Sequence, residues 1–196
     1  MSLIAKETGT EFEICPVGTH LARCVQVIDL GTIHSKYYDK WSHKVVIGWE
    51  IPGQLNEDGK PFLVWKRYTL SLHTNSGLRK DLESWRSRAF TPEELGGFDL
   101  KNILTVCCMI NIGHNDGFAN VTGVMAVPGG MEAPAQLHQS VFFNLAEFDK
   151  TLFDTFSEKM QKTIMSSKEM RESADHQEQM AVATDELAGD ESEVPF

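Results

Sequence analysis

The sequence has few of the features that mark an enzyme. It has no Gly-x-x-x-x-Gly-Lys-Ser/Thr loop for phosphates and no Gly-x-Ser-x-Gly nucleophile turn. No cluster of carboxylates indicates a two-metal nuclease. We therefore expect a protein that is not an enzyme, has no catalytic residues and needs no cofactor.

Cysteine and long apolar runs are also scarce. The four cysteines, Cys15, Cys24, Cys107 and Cys108, show no Cys-x-x-Cys spacing, and no two histidines stand four apart on a predicted helix. We therefore expect neither a metal site nor a disulfide framework, and reduced thiols favour a cytoplasmic location. No apolar run approaches about 18 residues and no signal peptide is evident, so we expect neither membrane contact nor secretion.

Basic residues are absent from the last part of the chain. Residues 172–196 contain eight acidic residues and no Lys or Arg, within a chain whose net charge is −10. Without this segment, 20 acidic residues face 18 basic ones, a net charge of −2. A strongly acidic chain disfavours nucleic acid, because phosphate contacts need Lys and Arg. Since the acidity is concentrated in the tail, the folded part can still carry a basic groove.

The first 130 residues predict a mainly β fold with one helical interruption. Alternating or β-rich segments predict strands over 18–30, 44–51, 62–72, 104–112 and 119–127. A helix follows Ser76, a capping box begins at Thr91, and Asn115-Asp116-Gly117 is a hairpin turn signal. The order of elements is that of an OB-fold, a five-stranded Greek-key barrel with a helix between strands three and four, although other small α+β domains share it.

The chain therefore divides into three predicted segments. Residues 1–130 form the barrel, and residues 131–170 form a linker and an extra C-terminal helix that starts at Asn144. Residues 171–196 are acidic and lack a core-forming set, so we expect a disordered tail.

Two groups of residues combine large rings with cations. The predicted outward face of the third strand holds Trp65 and Arg67, and the predicted loop over 31–43 leads into the second strand through an aromatic, basic stretch. The candidates in that stretch are Lys36, Tyr37, Tyr38, Lys40, Trp41 and Lys44. Rings that stack on bases beside cations that contact phosphates are what a single-stranded nucleic acid needs.

Each of these groups has an alternative interpretation. Trp65 could pack under the C-terminal helix, and the aromatic loop could form a contact between copies of the chain, since exposed rings also mark protein interfaces. Trp49 and Trp85 fall on apolar faces, which predicts core positions for both.

The last residues of the sequence form a compact anchor. A phenyl ring beside a carboxylate can fill an apolar pocket while basic side chains bind the carboxylate. The alternative is a frayed acidic end that happens to stop at phenylalanine. The residues concerned are Asp190, Glu191, Glu193, Val194, Pro195 and Phe196.

This ending resembles the acidic tip of bacterial and phage single-stranded DNA-binding proteins. A second resemblance lies in the body of the chain, in the stretches 16–23, 28–31, 48–50, 68–72, 78–86, 90–91, 97–100 and 119–121. Through these stretches, which span most of the predicted barrel, the body resembles a family of phage single-stranded DNA-binding proteins. Ser87 and Thr105 depart from the pattern, since glycine is expected at both positions.

The resemblance implies an OB-fold that coats single-stranded DNA without reading its sequence. It also implies a role in phage DNA replication or recombination, recruitment of partner enzymes by the acidic tip, and a location in the host cytoplasm. Two other functions stay open. One is an acidic interaction module or decoy of a host DNA enzyme, and the other is a mediator that anneals complementary strands.

Overall fold

The structure is a computed structural model that describes residues 13–37, 39–131 and 135–173. It is mainly antiparallel β-sheet with a few helices, as the sequence predicts. The strands are β1 (Gly18–Ser35), β2 (Lys40–Leu55), β3 (Pro61–Thr69), β4 (Cys107–Asn115), β5 (Phe118–Met125) and β6 (Val141–Phe143). The helices include α1 (Gly77–Arg86), α2 (Pro92–Gly96), α3 (Lys150–Phe153) and α4 (Glu158–Met165), with 3₁₀ turns at Leu100–Ile103 and Leu145–Glu147. Residues 168–173 are also helical.

The strands form one sheet in the order β3-β2-β1-β4-β5. All neighbours in this order are antiparallel, and β3 and β5 at its two ends come into contact. No ladder between β3 and β5 is present within the described ranges. The sixth strand, β6, was not predicted; it pairs in parallel with β1 at Gln26–Ile28.

The predicted loop over 31–43 is wrong, because β1 and β2 continue through it as a long hairpin. His34 pairs with Trp41, and Ser35 pairs with Lys40, so the pairing continues to the end of β1 and begins again at the first residue of β2. Gly31, the first residue of that predicted loop, instead marks a register shift between β1 and β2. Its φ of +74° produces a local irregularity, after which the β-branched Thr32 and Ile33 continue the strand.

The main core lies between the sheet and α1. Trp49 on β2 is completely buried, and Trp85 on α1 packs against it with ring centroids 6.2 Å apart. The predicted core positions of both tryptophans are therefore confirmed. Their burial leaves Trp41 and Trp65 as the two tryptophans with substantial exposure.

The predicted local signals at α2 and at the β4–β5 turn are confirmed. The hydroxyl of Thr91 accepts a hydrogen bond from the Glu94 amide, and the Glu94 carboxylate accepts one from the Thr91 amide. Asp116 and Gly117 have φ of 50° and 77°, the left-handed pair that a two-residue hairpin turn requires.

The two positions that differ from the resembled family, Ser87 and Thr105, have backbone conformations that favour glycine. Ser87 has φ of 52° at the end of α1, and Thr105 has φ of 67° just before β4. The Thr105 amide donates to the Cys24 carbonyl at 2.7 Å, which ties this conformation to β1. A β-branched residue is strained in the left-handed region, so Thr105 stores a local conformational cost.

The single C-terminal helix predicted from Asn144 is wrong, since this segment is a series of short turns and helices. The side chains of Asn144, Asp149 and Ser157 each accept a hydrogen bond from a following amide, and each begins a new element. The apolar residues of the segment still find a common partner. They form a second cluster on the outward face of β1 and β2, centred on Ile28, Leu30, Val46, Phe143 and Ile164.

Candidate nucleic-acid interface

The indole of Trp65 lies on the backbone of Gly48. The two residues are cross-strand neighbours on β3 and β2. A Cβ atom at Gly48 would stand 2.8 Å from Cδ1 and 2.9 Å from Nε1 of Trp65, so the ring occupies the space that any larger residue would need. The Trp65 Nε1 donates to Gln26 Oε1 at 2.7 Å, and the side chain remains 47% exposed. The ring is therefore fixed in orientation and still accessible.

The alternative position of Trp65, under the C-terminal helix, is not what the structure shows. The apolar cluster beneath α3 and α4 does not include Trp65 within the described part of the chain. The roles of Gln26 and Gly48, the two residues that position the ring, were not predicted from the sequence. A glycine inside a strand was the available signal, because it often marks a close approach by another group.

Two cations lie on the same outward face as Trp65. Arg67 is exposed two residues along β3, and Lys44 on β2 donates from Nζ to Thr69 Oγ1 at 2.7 Å. Burial, and then the charge of Arg67, lowers the pKa of Lys44 below its usual value. Among the described residues, neither cation forms an ion pair with a carboxylate. An anion bound here would offset the repulsion between them.

The β1–β2 hairpin carries the other described candidates. Trp41 is 45% exposed and packs against His34, with ring centroids 5.0 Å apart. Tyr37 is 87% exposed in the turn, and Lys36 and Lys40 are exposed on either side of it. Tyr38 lies outside the described residues.

The structure does not bring all the predicted residues onto one face. Alternation along β2 places Lys40 and Lys44 on the side of Gly48, and therefore of Trp65. The same alternation places Trp41 on the opposite side of the hairpin. The predicted site thus divides into a strip formed by Lys40, Lys44, Arg67 and Trp65, called the open strip below, and a separate aromatic hairpin.

A buried carboxylate bounds the open strip at its far end. Glu50, two residues beyond Gly48 on β2, is completely buried. It accepts hydrogen bonds from the amides of Leu137 and His138, at 3.1 and 2.6 Å, and it lies 2.7 Å from Nδ1 of His138. These bonds hold the segment before β6 against β2. They satisfy the Glu50 carboxylate, which is therefore not exposed on the open strip.

The acidic tip predicted to bind partners, Asp190 to Phe196, lies outside the described residues. Within the described ranges, no group of three or more His, Cys, Asp or Glu residues is placed to hold a metal ion. Over the same ranges, no helix has both the length and the apolar surface to span a bilayer.

Comparisons with protein-family models, with curated proteins and with solved structures find no significant match to this chain. The family resemblance therefore stays a prediction.

Proposed function

We propose that this chain is an OB-fold protein that binds single-stranded DNA without reading its sequence. The strand order, the contact between β3 and β5, and the position of α1 between β3 and β4 support this barrel topology. OB-folds bind oligonucleotides on the face of their second and third strands and with the loop between the first two. The open strip lies on the corresponding strands, and the aromatic hairpin joins β1 to β2.

The observation that carries the proposal is the fixed, half-exposed indole of Trp65 beside two unneutralised cations. A base stacked on Trp65 would place its phosphates near Arg67 and Lys44. Stacking of one base on an aromatic residue contributes roughly 1–3 kcal/mol and is tolerant of sequence, because every base has a π face. The arrangement offers a ring and charges rather than a set of groups for reading base edges.

In this proposal the chain coats single-stranded DNA during phage DNA replication or recombination in the host cytoplasm. The acidic tail, ending in Val194-Pro195-Phe196, recruits partner enzymes through a pocket that accepts its ring and basic groups that bind its carboxylates. Support for this role comes from the sequence resemblance and from the separation of acidic and basic charge along the chain.

Tryptophan fluorescence tests the proposal directly. Trp49 and Trp85 are buried, so quenching by oligo(dT) should report on Trp65 and Trp41. We expect quenching at low salt that weakens as salt rises, with Trp65→Ala reducing affinity about fivefold or more. Leu95→Ala on α2, an exposed apolar residue away from the strip, is the control and should bind as the wild type does.

The proposal fails if the wild-type chain leaves oligo(dT) unbound in dilute buffer. That result is expected of a decoy that acts on a host enzyme. Binding that is insensitive to Trp65→Ala would show instead that the open strip is not the binding surface.

A further inference from the structure

A pocket of about 280 Å³ lies where the last turn of α1 meets the start of β4. Its apolar lining is formed by Trp85, Phe98, Ile103 and Val106, and Val106 is 43% exposed. The described lining shares no residue with the open strip. Sites for drug-sized molecules span roughly 300–1,000 Å³, so this smaller space suits one large side chain.

Two arginines give the pocket its charge. Among the described residues that line it, Arg86 and Arg88 are the only charged ones, and both donate to the Glu94 carboxylate on α2. The hydrogen bonds from Arg88 contribute most to lowering the pKa of Glu94 to about 2, so this carboxylate is ionised at neutral pH. The nearby Glu83 pairs with Arg79 instead, at 2.9 Å. Two guanidinium groups therefore share one carboxylate, which leaves a net positive charge beside the apolar lining.

The guanidinium of Arg86 is held in place without a ligand. Its Cζ lies 4.4 Å from the ring centroid of Phe90 and 5.0 Å from that of Phe98, and its Nη2 donates to Glu94. Its Nη1 is buried and has no hydrogen-bond partner among the described residues. A buried donor without a partner is costly, and an added carboxylate oxygen would remove that cost. Arg88, whose side chain is 55% exposed, can turn toward the same carboxylate.

Strained backbone borders the pocket on two sides. Ser87, with φ of 52°, lies between the two arginines that converge on Glu94. Thr105, with φ of 67°, directly precedes the exposed Val106. Such left-handed residues are concentrated at binding and catalytic sites, where the surrounding structure maintains the strain. The two strained positions thus flank the basic side and the apolar side of one pocket.

The two sides of the pocket select a ligand that has an anionic part and an apolar part. A protein segment in which an aromatic residue stands beside Asp or Glu has both. Its ring can enter the apolar lining while the adjacent carboxylate accepts hydrogen bonds from guanidinium groups, whose planar shape matches it. Arginine and tryptophan also dominate the binding energy of many protein interfaces.

We infer that this pocket is a docking site for another protein, which binds through an acidic segment that carries an aromatic residue. The ring packs on Trp85, Phe98 and Val106, and a neighbouring carboxylate pairs with Arg86 and Arg88. The inference goes beyond DNA binding and does not depend on it. It places a protein-binding surface on the folded part of the chain, separate from the acidic tail.

Isothermal titration calorimetry of the full chain with the peptide acetyl-Asp-Glu-Phe-Asp-Glu-amide tests the inference. We expect binding at low salt that weakens as salt rises, and binding at least tenfold weaker for the same peptide with serine in place of phenylalanine. The serine peptide keeps every charge, so this difference measures the contribution of the ring.

Substitutions then locate the peptide. Arg88→Gln and Val106→Ser, one on each side of the pocket, should each weaken binding about fivefold or more. Both side chains are substantially exposed, and thermal unfolding checks that the variants fold. Lys80→Gln is the matched control, because it removes one positive charge from an exposed position of α1 outside the pocket. It should bind the peptide as the wild type does.

The other outcomes overturn the inference. Wild-type affinity in both Arg88→Gln and Val106→Ser would place the peptide elsewhere, and displacement of the peptide by oligo(dT) would assign the pocket to DNA. If the peptide binds only when Phe196→Ala is introduced, the occupant is the end of this chain rather than another protein. No binding to any of these chains also overturns it. Loss of peptide binding in Arg88→Gln with oligo(dT) binding unchanged supports the inference, whatever Trp65→Ala shows for the proposed function.

Discussion

Replacing Gly48 by alanine would test the Trp65 platform through a change at a buried position. The new Cβ would lie 2.8 Å from Trp65 Cδ1, 2.9 Å from Nε1 and 3.0 Å from Gln26 Cβ. The first two contacts involve a side chain that can move, so the indole would be lifted from β2 while the strand stays in place. The hydrogen bond from Trp65 to Gln26 would then be lost.

The expected effect on binding follows from the loss of one stacking position. If the displaced ring no longer holds a base, roughly 1–3 kcal/mol of binding free energy is lost. This corresponds to an affinity about 5- to 150-fold weaker for oligo(dT). The free energy of unfolding should change less. Within a strand, alanine is more stable than glycine by about 0.5–1 kcal/mol, which offsets the loss of the hydrogen bond.

Fluorescence anisotropy with labelled oligo(dT), at one fixed salt concentration, measures this change. Gly53→Ala is the matched control, because Gly53 lies on the same strand and an added Cβ there meets no atom within 4 Å. Thermal unfolding should give similar midpoints for both variants and the wild type. Wild-type affinity in a folded Gly48→Ala variant would refute the assignment of Trp65 as a stacking platform.

Three further substitutions test other parts of the structure. Because the pKa of Lys44 is lowered, its charge and its contribution to DNA binding should be lost at a lower pH than for an ordinary lysine. In affinity titrations, Lys44→Met should remove this pH dependence and make the affinity less dependent on salt concentration. Gly31→Ala should destabilise the fold by about 2–5 kcal/mol in denaturant unfolding, because φ is +74° and the Cβ would lie 2.6 Å from Ser167 Cβ. Thr105→Gly should raise stability by about 0.5–1 kcal/mol in the same assay, since it relieves left-handed strain, and a lower stability would contradict that account.

Local patterns predicted those parts of the fold that depend on nearby residues. Alternation along β2 and β3 placed Trp49 in the core and Trp65 on the opposite side, and both positions are observed. The capping box at Thr91 and the turn before Phe118 were also predicted, because each needs only a few adjacent residues.

Contacts between distant residues could not be predicted in this way. Gly31 was placed in a predicted loop, whereas it lies within β1 and leaves room for Ser167 and Leu145 of the C-terminal segment. Similarly, Gln26 is 39 positions from the Trp65 indole that it holds. The register of β1 against β2, with its two irregularities, determines this contact, and no short sequence pattern reveals it.

The C-terminal segment determines how much of the sheet is open to a ligand. The outward side chains of Ile28 and Leu30 on β1 and Val46 on β2 are apolar, and the segment buries them. β6 also pairs with the middle of β1. The remaining accessible surface follows β3 and the first part of β2, so a bound strand would run along β3 rather than across the sheet.

The same packing explains how an acidic chain can present a basic strip. Three carboxylates near the covered face are engaged in holding the C-terminal region. Glu50 binds the segment at His138, and Asp29 accepts a hydrogen bond from the Leu145 amide at 3.4 Å while lying 2.6 Å from Nε2 of His43. Glu169 accepts hydrogen bonds from the amide and hydroxyl of Thr32. These carboxylates keep their charge, but the N–H and O–H dipoles that point at them oppose part of their field above the open strip. The net charge of the whole chain is therefore a poor guide to the local field that a phosphate would meet beside Trp65.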